Sequence, residues 1–74
     1  ASPELLQIDI LEGRLAHTEG RFQDAVSLYQ RAHAAAAGLG SLSDQALTSN
    51  YMGNAARDVG RYQDAELYIS RALD

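Results

Sequence analysis

His17 and His33 are the only imidazoles in this 74-residue chain, which has no cysteine and no lysine. A catalytic histidine needs a nucleophile or a second acid within hydrogen-bond reach, and a metal needs several ligands converging on one point. The acids nearest to His17 on its N-terminal and C-terminal sides are Glu12 and Glu19, five and two residues away and seven from each other. Those spacings do not gather the three groups on one helix face. The glycines follow no strand and precede no lysine, so they do not make a phosphate loop. No enzymatic activity, cofactor or metal is therefore expected.

Amides and guanidinium groups offer more. Asn50, Asn54 and Arg57 are spaced by four and three residues and share one face of a helix, with Tyr51 and Asp58 beside them. The equivalent face 40 residues earlier offers Gln7, Ile10, Leu11, Arg14 and His17. Asparagine carries both donors and acceptors and pairs with a peptide backbone of any sequence, while arginine grips a carboxylate through two parallel bonds. These side chains would serve equally well as a solvated polar face. His33 reads as a partly buried packing residue.

Ten acidic against six basic residues give a net charge of −4, the wrong sign for neutralising phosphates. Nucleic acid is not an expected partner. No run approaches the roughly 20 apolar residues of a membrane span, and Ala1-Ser2-Pro3-Glu4 lacks the features of a signal peptide. A soluble, cytoplasmic protein is expected. With no disulfide or thiolate zinc site to compensate, a domain of this size has a thin core.

The elements that must position these groups come from a repeat. Gly20-Arg21-Phe22-Gln23-Asp24-Ala25 recurs as Gly60-Arg61-Tyr62-Gln63-Asp64-Ala65, an offset of 40 at which Gly13 falls on Gly53, Ala16 on Ala56, Arg31 on Arg71 and Ala32 on Ala72. Ser2, Pro3 and Glu4 start a first helix that is expected to run to Glu19, with a stripe of Leu5, Ile8, Leu11, Leu15 and Ala16 that Leu6 and Ile10 widen. Gly20 ends it. A second helix from Phe22 to about Ala37 carries Ala25, Leu28, Tyr29 and Ala32. Residues 38–43 read as a loop, and Ser43 with Asp44 starts a third helix lasting to about Val59. Gly60 is expected to break the chain again, so that a fourth helix carries Tyr62, Ala65, Ile69, Ala72 and Leu73. Gly13, Gly53, Ala25 and Ala65 are expected where helices approach closely.

This pattern resembles the tetratricopeptide repeat over nearly the whole chain. In the second copy Met52-Gly53 is similar to the family's Leu-Gly pair, Gly60 to its turn glycine, and Tyr62, Ala65, Ile69 and Ala72-Leu73 to its aromatic, small and apolar positions. The first copy matches through Gly13, Gly20, Phe22, Ala25, Tyr29 and Ala32. Glu12 departs from the pattern, standing where an apolar residue is usual, and neither copy has tryptophan or tyrosine near the start of its first helix. The period of 40 exceeds the usual 34 or so. Long repeats with Met52-Gly53-Asn54 in the first helix resemble those of GoLoco-carrying spindle-orientation adaptors, kinesin light chains and some bacterial signalling ATPases.

The resemblance implies an all-α fold, an alpha-alpha superhelix of two antiparallel hairpins spanning about 3–38 and 43–74 in a single domain. It further implies a scaffold or adaptor that holds a peptide of a protein partner in a concave groove lined by the first helix of each hairpin. The residues on that groove would be Arg14, His17, Asn50, Tyr51, Asn54 and Arg57. The chaperone-clamping use of the family fits poorly, because Asn50 stands where that clamp needs lysine. A structural segment of a longer array is the alternative. The apolar stripe of the last helix suggests either such an array or a homodimer through the C-terminal helices, exchanging a hairpin around Gly38–Ser43.

Overall fold

The computed structural model describes the backbone of residues 3–73 and the side chains of residues 3–63. The expected cap at Ser2 lies outside them, as do the side chains of Ala65, Tyr68, Ile69, Ala72 and Leu73. The described chain is all-helical, with α1 at Pro3–Thr18, α2 at Phe22–Leu39 and α3 at Leu42–Leu73.

Both turns are closed in the same way. Gly20 and Gly40 take left-handed φ values of 81° and 69°, which glycine adopts without steric cost. At the first, the Gly20 and Arg21 amides donate to the His17 and Ala16 carbonyls at 3.1 and 2.8 Å. At the second, Gly40 and Ser41 donate to Ala37 and Ala36 at 3.1 and 3.0 Å. This paired pattern satisfies carbonyls that a helix end leaves free. The expected loop over residues 38–43 shrinks accordingly to Gly40 and Ser41. Ser41, rather than Ser43, caps α3: its hydroxyl accepts from the Asp44 amide at 3.3 Å and donates to the Asp44 carboxylate at 2.9 Å.

The buried side of α1 differs from the expected stripe. Leu6, Asp9, Ile10, Gly13 and Ala16 face inward, whereas Leu11 and Leu15 remain 59% and 57% exposed and Leu5 and Ile8 are exposed as well. Glycine and alanine decide between the two stripes, because only they admit α2 at close range. Leu6 and Ile10 pack with Ala32 and Ala36, and Ala16 packs with Ala25, Tyr29 and Ala55. Burying each large aliphatic side chain contributes about 1.5–3 kcal/mol. As α1 rises from Leu6 to Ala16, its partners on α2 fall from Ala36 to Ala25, so the two are antiparallel. α3 runs antiparallel to α2 on its other side, since His33 meets Thr48 while Ala25 shares a cluster with Ala55.

Tyr29 joins the two seams. Its ring is fully buried, stacks on Tyr51 at a centroid distance of 5.2 Å and an interplanar angle of 17°, and presses on Gly13 so closely that a Cβ there would lie 2.5 Å from Cε1.

A second reversal at Gly60 does not occur, and the expected fourth helix is the continuation of α3. Gly60 lacks the positive φ of Gly20 and Gly40. Glycine permits a left-handed turn without compelling it, and inside a helix it costs only about 1 kcal/mol relative to alanine. The first copy reverses because Tyr29 and Ala25 then bury themselves against Gly13 and Ala16. At Gly60 the chain instead continues as helix and keeps its backbone bonds. Gly53 is correspondingly not at a close approach: an added Cβ there meets nothing within 4 Å. The repeat is thus two copies in sequence with two different outcomes.

Gly13 and Gly53, equivalent by sequence, should respond oppositely to alanine. Gly13→Ala is expected to cost about 1–3 kcal/mol, because the buried Tyr29 ring has nowhere to retreat. Gly53→Ala is expected to stabilise by up to about 1 kcal/mol through helix propensity alone. Urea denaturation of the two variants beside the parent chain decides it, and equal losses at both positions would contradict this packing.

Candidate interaction face on α1 and α3

α1 and α3 both run antiparallel to α2 and hence parallel to one another. One described bond ties them directly: His17 Nε2 lies 2.6 Å from Asp58 Oδ2. An ionised carboxylate only accepts, so the imidazole donates from Nε2. Arg14 precedes His17 by about one turn and Asn54 precedes Asp58 by about one turn, which brings both to the same side of the molecule. Arg57 Nη2 donates to Asn54 Oδ1 at 3.1 Å.

Of the sequence-derived candidates, Arg14, Asn50, Asn54 and Arg57 are exposed, and His17 is half-buried beneath its bond to Asp58. Tyr51 is half-buried and committed to the stack with Tyr29, so the core takes the face of its ring. Ile10 is buried in the α1/α2 seam, while Gln7 and Leu11 are exposed. The face is therefore a polar strip of two guanidinium groups and two amides, with the His17–Asp58 bond bracing the helices that carry it.

Three further polar contacts fix the helices beneath this strip. Thr48 is fully buried, and its hydroxyl donates to the backbone carbonyl of Asp44 at 2.8 Å. With that proton committed, Thr48 Oγ1 accepts from His33 Nδ1 at 2.9 Å, which sets the tautomer of His33. His33 is thus partly buried, as its place in the repeat implies, and it is also a donor between helices. Asp9 is only 8% exposed and pairs with Arg31 at 3.3 Å. Around the first turn, Arg21 bonds Glu19 at 2.9 Å and approaches Asp24 at 3.5 Å. The interruption of an otherwise apolar inward stripe by Asp9 was the available sign that α1 carries a buried acid.

A shallow cleft of about 350 Å³ lies where the first turn meets α3, lined by residues 20–24 with Val59, Tyr62 and Gln63. Phe22, one of its lining residues, meets Tyr62 across it edge to face at 6.4 Å and also meets His17, outside the lining, at 5.4 Å. The aromatic position of the repeat thereby meets its own second copy. Among the described residues, no three His, Cys, Asp or Glu side chains stand together as a metal site, and no helix is long and apolar enough to cross a membrane.

No family model matches the chain, and the comparisons with curated proteins and with solved structures find no match either.

The His17 hydrogen bond, supported by the charges of His17, Arg57 and Arg61, outweighs desolvation and holds the Asp58 carboxyl below its ordinary value of 3.8. A carboxyl whose folded pKa is depressed stabilises the fold above its unfolded pKa and loses that contribution as pH falls through the folded value. Asp58→Asn should therefore lower the urea midpoint at about pH 6 and converge with the parent chain in acid, below the ordinary carboxylate value. Parallel pH profiles for the two proteins would show that the bond adds nothing to stability.

Proposed function

We propose that this chain is a protein-interaction module that binds a peptide segment of a partner along the polar strip of α1 and α3. The observation that carries this reading is the exposure of Arg14, Asn50, Asn54 and Arg57 on two parallel helices held together by the His17–Asp58 bond. The strip presents guanidinium groups suited to a carboxylate and amides suited to a peptide backbone. A braced surface loses little freedom when a ligand settles on it, which favours binding. The resemblance to tetratricopeptide repeats supports the same reading. Within it, the first helix of a hairpin is the expected groove element, and by sequence offset α1 and the first half of α3 correspond to that helix.

A second reading, a segment stacked within a longer repeat array, is favoured by a different observation. Leu5, Ile8, Leu11 and Leu15 form an exposed apolar stripe on α1, on the side opposite the seam with α2. A contiguous apolar stripe rimmed by polar residues is the kind of surface another protein element covers. The two readings are compatible, because they use different sides of α1.

The experiment is a screen of a peptide library carrying free C-terminal carboxylates, followed by titration of the best binder against variants. Asn54→Ala and Arg57→Ala are expected to weaken that binder by roughly tenfold each, corresponding to about 1.4 kcal/mol, with unchanged helical circular dichroism. Undiminished affinity in a variant that also lacks Arg14 and Asn50 would remove the polar strip as the binding surface.

A further inference from the structure

Ile8, Leu11 and Leu15 follow one another at spacings of three and four and line one side of α1, where all three are exposed. The buried residues Leu6, Ile10, Gly13 and Ala16 occupy the other side. The exposed side also carries acids. Glu4 and Glu12 stand four residues before and four residues after Ile8, about one turn away in each direction. Neither has an ion-pair partner among the described residues. Glu19 continues the series four residues beyond Leu15, but Arg21 bonds it at 2.9 Å. No described arginine is left to neutralise the middle of the stripe. Arg31 is held by Asp9 and Arg21 by Glu19 and Asp24, while Arg14 lies toward α3 on the polar strip.

The shape and the charge of this surface select what can cover it. A strand laid along a lone helix leaves its backbone donors and acceptors facing side chains that cannot pair with them, whereas a helix satisfies its own and packs side chain into side chain. A second copy of this chain is a poor cover. An antiparallel pair that sets Ile8 against Leu15 of the other copy also sets Leu11 against Glu12 and Glu4 against Glu19, and a parallel pair sets each acid against itself. Like charges placed opposite one another are penalised, and a net charge of −4 adds repulsion at longer range. An anionic lipid surface is repelled for the same reason.

We infer that the outer stripe of α1 docks an amphipathic, basic helix of a partner protein. Its apolar residues cover Ile8, Leu11 and Leu15, and its lysines or arginines pair with Glu4 and Glu12. Those acids are eight residues apart, about 12 Å along the axis, so the partner presents its basic groups at about that separation within a segment of roughly three turns. Apolar burial supplies the affinity. The ion pairs choose the partner, since an exposed pair adds little while a like charge in its place is costly. This inference starts from the stripe behind the second reading above and assigns its cover to a separate helix of stated charge. It does not depend on the polar strip, which lies on another side of α1.

The probe is a synthetic helical peptide with leucines at spacings of three and four flanked by lysines, and its twin carries glutamate in place of each lysine. Both are titrated against the full chain by fluorescence anisotropy. The lysine peptide is expected to bind at least roughly tenfold more tightly than its twin and to weaken as salt rises. Ile8→Ser combined with Leu15→Ser, both at exposed positions, is expected to keep the helical circular dichroism and to weaken the lysine peptide by roughly tenfold or more. Glu4→Lys combined with Glu12→Lys is expected to reverse the preference, so that the glutamate peptide binds better. Asn54→Ala and Arg57→Ala should leave both titrations unchanged, which separates this surface from the polar strip. Equal affinity for the two peptides, binding that survives the double serine variant, or no binding of either peptide would overturn the inference. A dimer in sedimentation equilibrium that the double serine variant abolishes would overturn it too, because a second copy would then be the cover.

Discussion

The packing of this small domain depends on one aromatic ring being allowed to enter the space where a side chain is missing. Tyr29 lies against the bare backbone of Gly13 on one side and stacks on Tyr51 on the other, so a single residue of α2 sets the distance to both neighbouring helices. Burial raises the pKa of its hydroxyl, with Tyr51 adding to the effect and Arg14 opposing it. Among the described residues that hydroxyl has no hydrogen-bond partner. Burying a polar group without a partner has a cost, and the ring contacts offset it. Once the ring is seated, the small residues Ala16, Ala25 and Ala55 can close around it. His17 and Asp58 are then near enough to bond across the outer side.

Electrostatics complete what packing begins. Each described seam has a polar latch: Asp9 with Arg31 between α1 and α2, His33 with Thr48 between α2 and α3, and His17 with Asp58 between α1 and α3. These contacts contribute less stability than the apolar clusters, but they are directional, and direction is what a helix face of uniform small residues lacks. They fix how far each helix is rotated about its own axis. That rotation determines which side chains face outward on α1 and α3.

Much of this was legible in the chain itself. Gly20 marks a helix end because the residues after it can return to bury themselves against those before it. Helix type and the antiparallel arrangement of α1 and α2 follow from the same spacing. On α1, however, two overlapping apolar stripes compete, and hydrophobicity alone favours the one that stays exposed. Gly13 and Ala16 identify the other, because close approach rather than apolar area selects the buried side. Gly60 shows the limit most clearly. Its hexapeptide differs from that at Gly20 in one aromatic residue, yet one copy turns and the other does not. Local sequence leaves the two conformations close in energy, and tertiary contacts choose. In the polar strip, the Asn54–Arg57 bond could be anticipated from helical spacing. The loss of the Tyr51 ring to the core could not, since its partner Tyr29 belongs to another helix.

Five of the six residues from Ala32 to Ala37 are alanine, the best helix former and a side chain that loses almost no rotational freedom when buried. Within this run lie Ala32 and Ala36, which pack with Leu6 and Ile10 of α1. α2 is consequently the segment most able to take its shape before anything touches it. Helix formation is slowed by its first turn rather than by its later ones, so a segment of this composition is a natural nucleus on which α1 and α3 condense. Each of them needs only a short two-residue or three-residue turn to reach it. Loops so short make for low contact order, and the three-helix core is expected to assemble quickly, from its middle outward.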